Sequence, residues 1–141
     1  MAQVAIITAS DSGIGKECAL LLAQQGFDIG ITWHSDEEGA KDTAREVVSH
    51  GVRAEIVQLD LGNLPEGALA LEKLIQRLGR IDVLVNNAGI QRRHPFTEFP
   101  EQEWNDVIAV NQTAVFLVSQ AVTRHMVERK AGKVINICSM Q

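Results

Sequence analysis

The stretch Thr8-Ala9-Ser10-Asp11-Ser12-Gly13-Ile14-Gly15 sets two glycines and three hydroxyl side chains between an apolar run and a stripe of helical spacing. Backbone N–H groups at such a helix start, together with the helix dipole, can hold a phosphate. Gly13 lets a pyrophosphate approach the backbone and Gly15 lets helix and sheet pack closely, although tight packing alone also explains two glycines in a turn. Further on, Asp60-Leu61, Asn86-Asn87-Ala88-Gly89, Asn111 and Ser139 carry polar groups at the ends of other apolar runs. Singly, each has a plain role: a strand-end cap, a pair of turn formers, a polar helix residue, a hydroxyl near the chain end. His34, His50, His94 and His125 are scattered, with no H-E-x-x-H and no neighbouring cysteine pair, so no metal site is expected.

The elements that must position these groups alternate. Val4 to Thr8 is a continuous apolar run suited to a strand covered on both faces. Ile14, Cys18, Leu21 and Leu22 then mark a helix that ends at Gly26. Residues 27–33 alternate with period two, and Ser35-Asp36-Glu37-Glu38 reads as a capping box for a second helix through Ala40, Ala44, Val47 and Val48. Ala54 to Leu59 is a third strand, followed by an N-x-x-E start at Asn63 and a helix through Leu64, Ala68, Leu71, Ile75 and Leu78. Ile81 to Val85 is a fourth. From Pro100, Trp104, Val107, Ile108, Val115, Val118, Val122 and Met126 recur at helical spacing, which predicts one helix of about 28 residues stopped by Ala131-Gly132. Lys133 to Cys138 is the fifth strand. The pattern predicts a single domain over residues 1–141: an α/β, three-layer, doubly wound Rossmann-like parallel sheet of five strands, in the order 3-2-1-4-5. Ligands of such sheets bind beyond the carboxyl ends of the strands.

Composition narrows the function. Thirteen Lys+Arg against eighteen Asp+Glu give a net charge of −5, which argues against nucleic acid or an anionic membrane as partner. The two cysteines, Cys18 and Cys138, lie far apart, and the first residues lack the basic and long apolar regions of a signal peptide, so a cytoplasmic protein with reduced thiols is expected. There is no tyrosine, which excludes any mechanism in which this chain supplies one as acid or nucleophile.

Over its whole length the chain resembles the short-chain dehydrogenase/reductase family, with the motifs in that family's order. The turn from Thr8 to Gly15 is similar to its T-G-x-x-x-G-x-G turn, with Ala9 where the family has its first glycine. Asp60-Leu61 matches the aspartate near the adenine, Asn86-Asn87-Ala88-Gly89 the N-N-A-G turn, Asn111 the asparagine of the long helix, and Ser139 the catalytic serine. The resemblance implies dinucleotide contacts from Thr8, Ser10, Ser12, Gly13, Ile14, Gly15, His34, Ser35, Asp60, Leu61, Asn87, Ala88 and Gly89, with Ser139 and Asn111 as vestigial catalytic residues. Trp33 stands where the family's NAD users carry an acid, and His34 and Ser35 could accept a 2′-phosphate, so the reading is NADP or NAD with a lean to NADP. The cofactor-free state is the other possibility.

The family's Y-x-x-x-K pair has no counterpart here, so the expected state is a truncated NAD(P)-binding half, catalytically incomplete. Residues 1–89 look like one bacterial member and residues 90–141 more like gluconate 5-dehydrogenase, which suggests an engineered chimera joined at the N-N-A-G turn. The alternative reading is accordingly a non-enzymatic folding or assembly unit. A receiver-like signalling domain with Asp11 and Asp60 at strand tips fits less well, since it leaves the glycine turn unexplained. Self-association as a homodimer or higher oligomer is expected, through the open edge at Val134, Ile135 and Ile137 or through Val115, Leu117, Val118, Val122 and Met126 of the long helix.

Overall fold

The computed structural model describes residues 1–139, apart from the side chain of Pro65. Five parallel strands, β1 (Val4–Ile7), β2 (Asp28–Trp33), β3 (Ala54–Gln58), β4 (Val83–Asn86) and β5 (Lys133–Asn136), lie in the order β3-β2-β1-β4-β5. The crossovers carry α1 (Gly13–Gln24), α2 (Glu37–Ser49), α3 (Leu64–Leu78), α4 (Glu101–Ile108) and α5 (Ala114–Arg129). This is the order expected of a Rossmann-like doubly wound sheet.

Because side chains alternate along a strand, the run Val4-Ala5-Ile6-Ile7 feeds two cores at once. Val4 and Ile6 pack with Leu71, Leu74 and Leu78 of α3 and with Val118, Val122 and Met126 of α5. Ala5 and Ile7 pack on the other face with Ala19 and Ala23 of α1 and Ala40 and Val47 of α2. The central strands are therefore fixed from both sides, and their carboxyl ends form one rim.

Three local expectations are corrected. Ser35 does not cap α2; Asp36 does, its Oδ1 accepting from the Gly39 amide at 2.9 Å. At α3, Asn63 makes no bond to the backbone amides and instead donates from Nδ2 to Glu66 Oε2 at 3.0 Å. The long helix is not uniform: a π-helical turn, Ala109–Thr113, separates α4 from α5. It ends at Lys130, which adopts the left-handed conformation at φ 55°, while Gly132 lies where a β-carbon would meet Met126 at 2.4 Å.

Of the face expected to meet a partner helix, Val115 and Leu117 are half-buried. Val118, Val122 and Met126 are buried in the core of the chain itself. The large apolar side chains that this arm presents to solvent are Trp104, Phe116 and Val127, at 58, 63 and 74% exposure. On β5, Val134 and Ile135 are exposed, as is Ile137 just beyond it. No helix among the described residues is long and apolar enough to cross a membrane.

Candidate functional site

The rim of the sheet is tied together by Thr8 and Asn87. Thr8 Oγ1 accepts from the amides of Asn87 and Ala88, each at 2.9 Å, and Asn87 Nδ2 donates to the carbonyls of Thr8 and Ala9 at 3.2 and 3.3 Å. These bonds join the ends of β1 and β4, where strand order reverses and where an open α/β sheet forms its ligand crevice. Ser10 supports the turn from beneath: it is fully buried, donates to the Ile7 carbonyl at 2.8 Å and accepts from the Thr32 amide at 3.3 Å. Thr8 and Ser10 thus have their hydroxyls committed to the scaffold of the turn.

Above them the start of α1 is open. Ser12 is its N-cap residue in extended backbone, and its side chain makes no capping bond. Gly13 has φ +56°, a region that favours glycine, and a β-carbon added there would meet nothing within 4 Å. Gly15 is the opposite case, since its β-carbon would lie 2.3 Å from the Ala9 carbonyl oxygen and 2.6 Å from Asn87 Nδ2. One glycine leaves room for a ligand; the other allows α1 to sit against the rim. Ala9 itself takes φ +52°, the left-handed region, with a side chain that disfavours it.

Two cavities flank the residues 88–90. One, of about 430 Å³, is lined by Ala9, Trp33, His34, Leu59, Asp60, Leu61, Gly62, Ala88, Gly89, Ile90, Arg92, Asp106, Ala109 and Val110. The other, of about 760 Å³, is lined by Ile14, residues 86–91, Asn111, Val115, Asn136, Ile137, Cys138 and Ser139. Of the residues singled out in the sequence, His34, Asp60, Leu61, Ala88 and Gly89 meet in the first, and Ile14, Asn87, Ala88, Gly89, Asn111 and Ser139 in the second. Ser12, Gly13 and Ser35 are exposed and line neither, and Gly15 is buried beneath.

Asn111 sits in the π-helical turn and grips Ile90: its Oδ1 accepts from the Ile90 amide and its Nδ2 donates to the Ile90 carbonyl, both at 2.8 Å. In the first cavity His34 Nε2 lies 3.8 Å from Asp60 Oδ1. Asn86 Nδ2 donates to Ser119 Oγ at 3.0 Å and to Asn136 Oδ1 at 2.9 Å, which fixes the floor of the second cavity. Sequence reasoning did not single out Asn136, Ser119, Arg92 or Asp106. Asn136 was reachable, because parallel register sets it beside Asn86; the others face the site only through the path of loop and helix. No group of three or more His, Cys, Asp or Glu among the described residues could hold a metal ion.

At the opposite end of the sheet a carboxylate holds the halves of the chain together. Asp82 accepts from the Val4 amide at 2.8 Å, from Arg80 Nε at 2.8 Å and Nη2 at 2.5 Å, and from Arg129 Nη1 at 3.1 Å. Burial alone would push its carboxyl up, but the bonds from Arg80, Val4 and Arg129 together outweigh that and hold it below the ordinary carboxylate value.

Comparison with known proteins agrees with this geometry. A family model described as short chain dehydrogenase matches residues 3–141. The uncharacterized oxidoreductase YohF of Escherichia coli K12 is 75% identical over 141 residues, which are 99% of this chain and 56% of that protein. The 5-keto-D-gluconate 5-reductase of the same strain is 59% identical over 136 residues, 96% of this chain and 53% of that protein. The crystal structure of acetoin dehydrogenase YohF from Salmonella typhimurium has a TM-score of 0.95 at 58% identity, over 99% of this chain and 55% of that one. An actinorhodin polyketide ketoreductase solved with NADPH has a TM-score of 0.91 at 35% identity, covering 98% and 53%. An NAD⁺-bound xylitol dehydrogenase has a TM-score of 0.92 at 29% identity, covering 98% and 53%. The chain spans about half the length of the relatives it matches. With its glycine turn, rim and two cavities arranged as above, it belongs to the short-chain dehydrogenase family.

Proposed function

We propose that this chain is the NAD(P)-binding half of a short-chain dehydrogenase/reductase and that the polypeptide of 141 residues turns over no substrate on its own. The reading is carried by the meeting of Ala9, Asp60, Leu61, Ala88 and Gly89 around one cavity of about 430 Å³ at the reversal of strand order. Leu59, Leu61, Ile90 and Val110 give that cavity apolar walls suited to a flat base. The open space above Gly13 suits a pyrophosphate at the start of α1, and there the amides of the first turn would hold it. Ile14 borders this path; Thr8, Ser10, Asn87 and Gly15 shape it from beneath.

The dinucleotide, when bound, supplies the hydride chemistry. The chain's own residues do the rest of what is possible here. Ser139 lines the larger cavity, at the position that matches the family's catalytic serine. Asn111 engages Ile90 through both of its polar atoms, so its part is to hold the wall between the cavities rather than to touch substrate. General acid catalysis contributes about 10²–10⁴-fold, and with no tyrosine in the chain the family's acid is lacking. Purified polypeptide assayed with NADH or NADPH against acetoin, 5-keto-D-gluconate, diketones and sugars should show no turnover; robust turnover that survives further purification overturns this part. Calorimetric titration with both dinucleotides tests binding itself.

NADP is favoured over NAD because the end of β2 carries Trp33 and His34 in place of a carboxylate, with Ser35 beside them. The protein is read as one cytoplasmic domain that self-associates through Trp104 and Phe116 on the α4–α5 arm or through the edge of β5, and light scattering that finds only monomer at high concentration contradicts the association.

A second reading, which we propose on the resemblance of residues 1–89 and 90–141 to different members of the family, is an engineered assembly unit joined at Asn86–Gly89. Identity to the Escherichia coli oxidoreductase, counted separately, should then be far higher over residues 1–89 than over 90–141; equal identity in both segments removes this reading.

A further inference from the structure

We infer that Arg92 is the residue that selects NADP, by meeting the 2′-phosphate across the smaller cavity from His34. The inference rests on the dinucleotide reading of that cavity and gives it a selectivity determinant. A 2′-phosphate is met best by a permanent cation, and an imidazole is not one. Trp33, the last residue of β2, and His34, on the β2–α2 connection, line the same cavity as Arg92, on the connection from β4 to α4. Arg92 is the one permanent cation among the described residues lining it.

Its guanidinium is available for this. Arg92 Nη1 donates to the Gln91 carbonyl at 2.9 Å, which anchors the group and leaves the rest of its donor fork. The neighbouring Arg93 differs: it does not line the cavity. Two carboxylates also line the cavity and would repel a phosphate if left alone. Asp60 faces His34 at 3.8 Å, and Asp106 Oδ1 accepts from Gln102 Nε2 at 2.8 Å. These charges make the cavity dependent on Arg92 for a dianion, while a ribose with two free hydroxyls has no such need. The same contrast separates phosphate selection from stacking of the guanidinium on the adenine, which would serve both dinucleotides alike.

The test is calorimetric titration of the wild type, Arg92→Gln, Arg92→Lys and Arg93→Gln with NADP and with NAD. Wild type is expected to bind NADP more tightly. Arg92→Gln should weaken NADP by about 10- to 100-fold, the range of a charge-assisted hydrogen bond, and leave NAD within about twofold. Arg92→Lys should recover part of the loss, and Arg93→Gln should change neither ligand. Equal weakening of both dinucleotides, no change in either, or a wild type that prefers NAD overturns the inference while leaving the dinucleotide reading in place. A wild type that binds neither overturns that reading, and this inference with it.

Discussion

Asn111 closes on the backbone of Ile90 from both edges, its side-chain oxygen taking the amide and its nitrogen giving to the carbonyl, each at 2.8 Å. Asn111 lies in the π-helical turn between α4 and α5, and Ile90 in the wall shared by the two cavities. A π-helical turn admits an extra residue and re-aims the side chains within it, which is a recurrent feature of functional sites. Asn111→Ala should therefore cost about 1–2 kcal/mol by urea denaturation, two hydrogen bonds of ordinary net value. It should also weaken dinucleotide binding, because the wall at Gly89 and Ile90 is released. Asn111→Asp, which keeps an acceptor and loses the donor, should fall between; full stability in Asn111→Ala refutes the role.

Ala9 is strained at φ +52°, in a turn where glycine would be at ease. Left-handed backbone costs an L-residue about 1–2 kcal/mol, part of which returns as greater freedom of glycine in the unfolded chain. Ala9→Gly should thus raise stability by about 0.5–1 kcal/mol, read as a higher urea midpoint at unchanged slope. A lower midpoint shows that the methyl group contributes packing that outweighs the strain.

The two glycines of the turn should fail in different ways. A β-carbon at Gly15 lies 2.3 Å from the backbone oxygen of Ala9, so Gly15→Ala should destabilise the fold by about 1–3 kcal/mol, as overpacking does. A β-carbon at Gly13 meets no atom, and Gly13→Ala should cost only about 1 kcal/mol for its positive φ. Gly13→Ala should nevertheless lose most dinucleotide affinity, since the added methyl occupies the approach to the backbone. Thermal melts and titrations of both variants check this; equal binding by Gly13→Ala and wild type contradicts it.

Asp82 sets an acid limit on stability. Its carboxyl is lowered in the folded protein, so its stabilising contribution is present above the unfolded value near 3.8 and is lost as pH falls through the folded value. Asp82→Asn leaves Arg80 and Arg129 facing an amide and should cost about 3 kcal/mol at neutral pH, in the range for breaking a buried pair. Stability measured from pH 7 down to pH 2 should fall less steeply in the variant below pH 4 than in the wild type. Parallel curves contradict the assignment.

The architecture was legible because it depends on periodicity. Val4 to Ile7 is apolar at every position, as a strand covered on both faces must be, and α3 begins and ends where the stripe from Leu64 to Leu78 does. Where position on a strand tip sufficed, as for Asp60, Leu61, Ala88 and Gly89, the residues singled out in the sequence line one cavity. What escaped is decided by backbone detail. A π-helical turn keeps the apolar stripe and changes only the phase, so spacing reads straight through Ala109–Thr113. Arg92 lies on a connection without periodicity, and nothing local marks which of Arg92 and Arg93 turns inward. The same limit explains Ser10, whose spacing suits a ligand contact but whose hydroxyl is drawn to Ile7 and Thr32 by burial. The outward face of α5 was misread for a related reason: Val118, Val122 and Met126 are equally apolar toward a partner or toward β1 and α3, and the tertiary packing chose the core.

The most direct test of the account is a nitrogen–proton correlation spectrum of the 141-residue polypeptide titrated with NADP. Saturable shifts should concentrate at the amides of Ser12 to Gly15, Asp60 to Gly62 and Ala88 to Ile90, with those around Asp82 unmoved. An unchanged spectrum at millimolar NADP and NAD, or shifts confined to residues away from that rim, would contradict the claim that this half of the fold holds a nucleotide site.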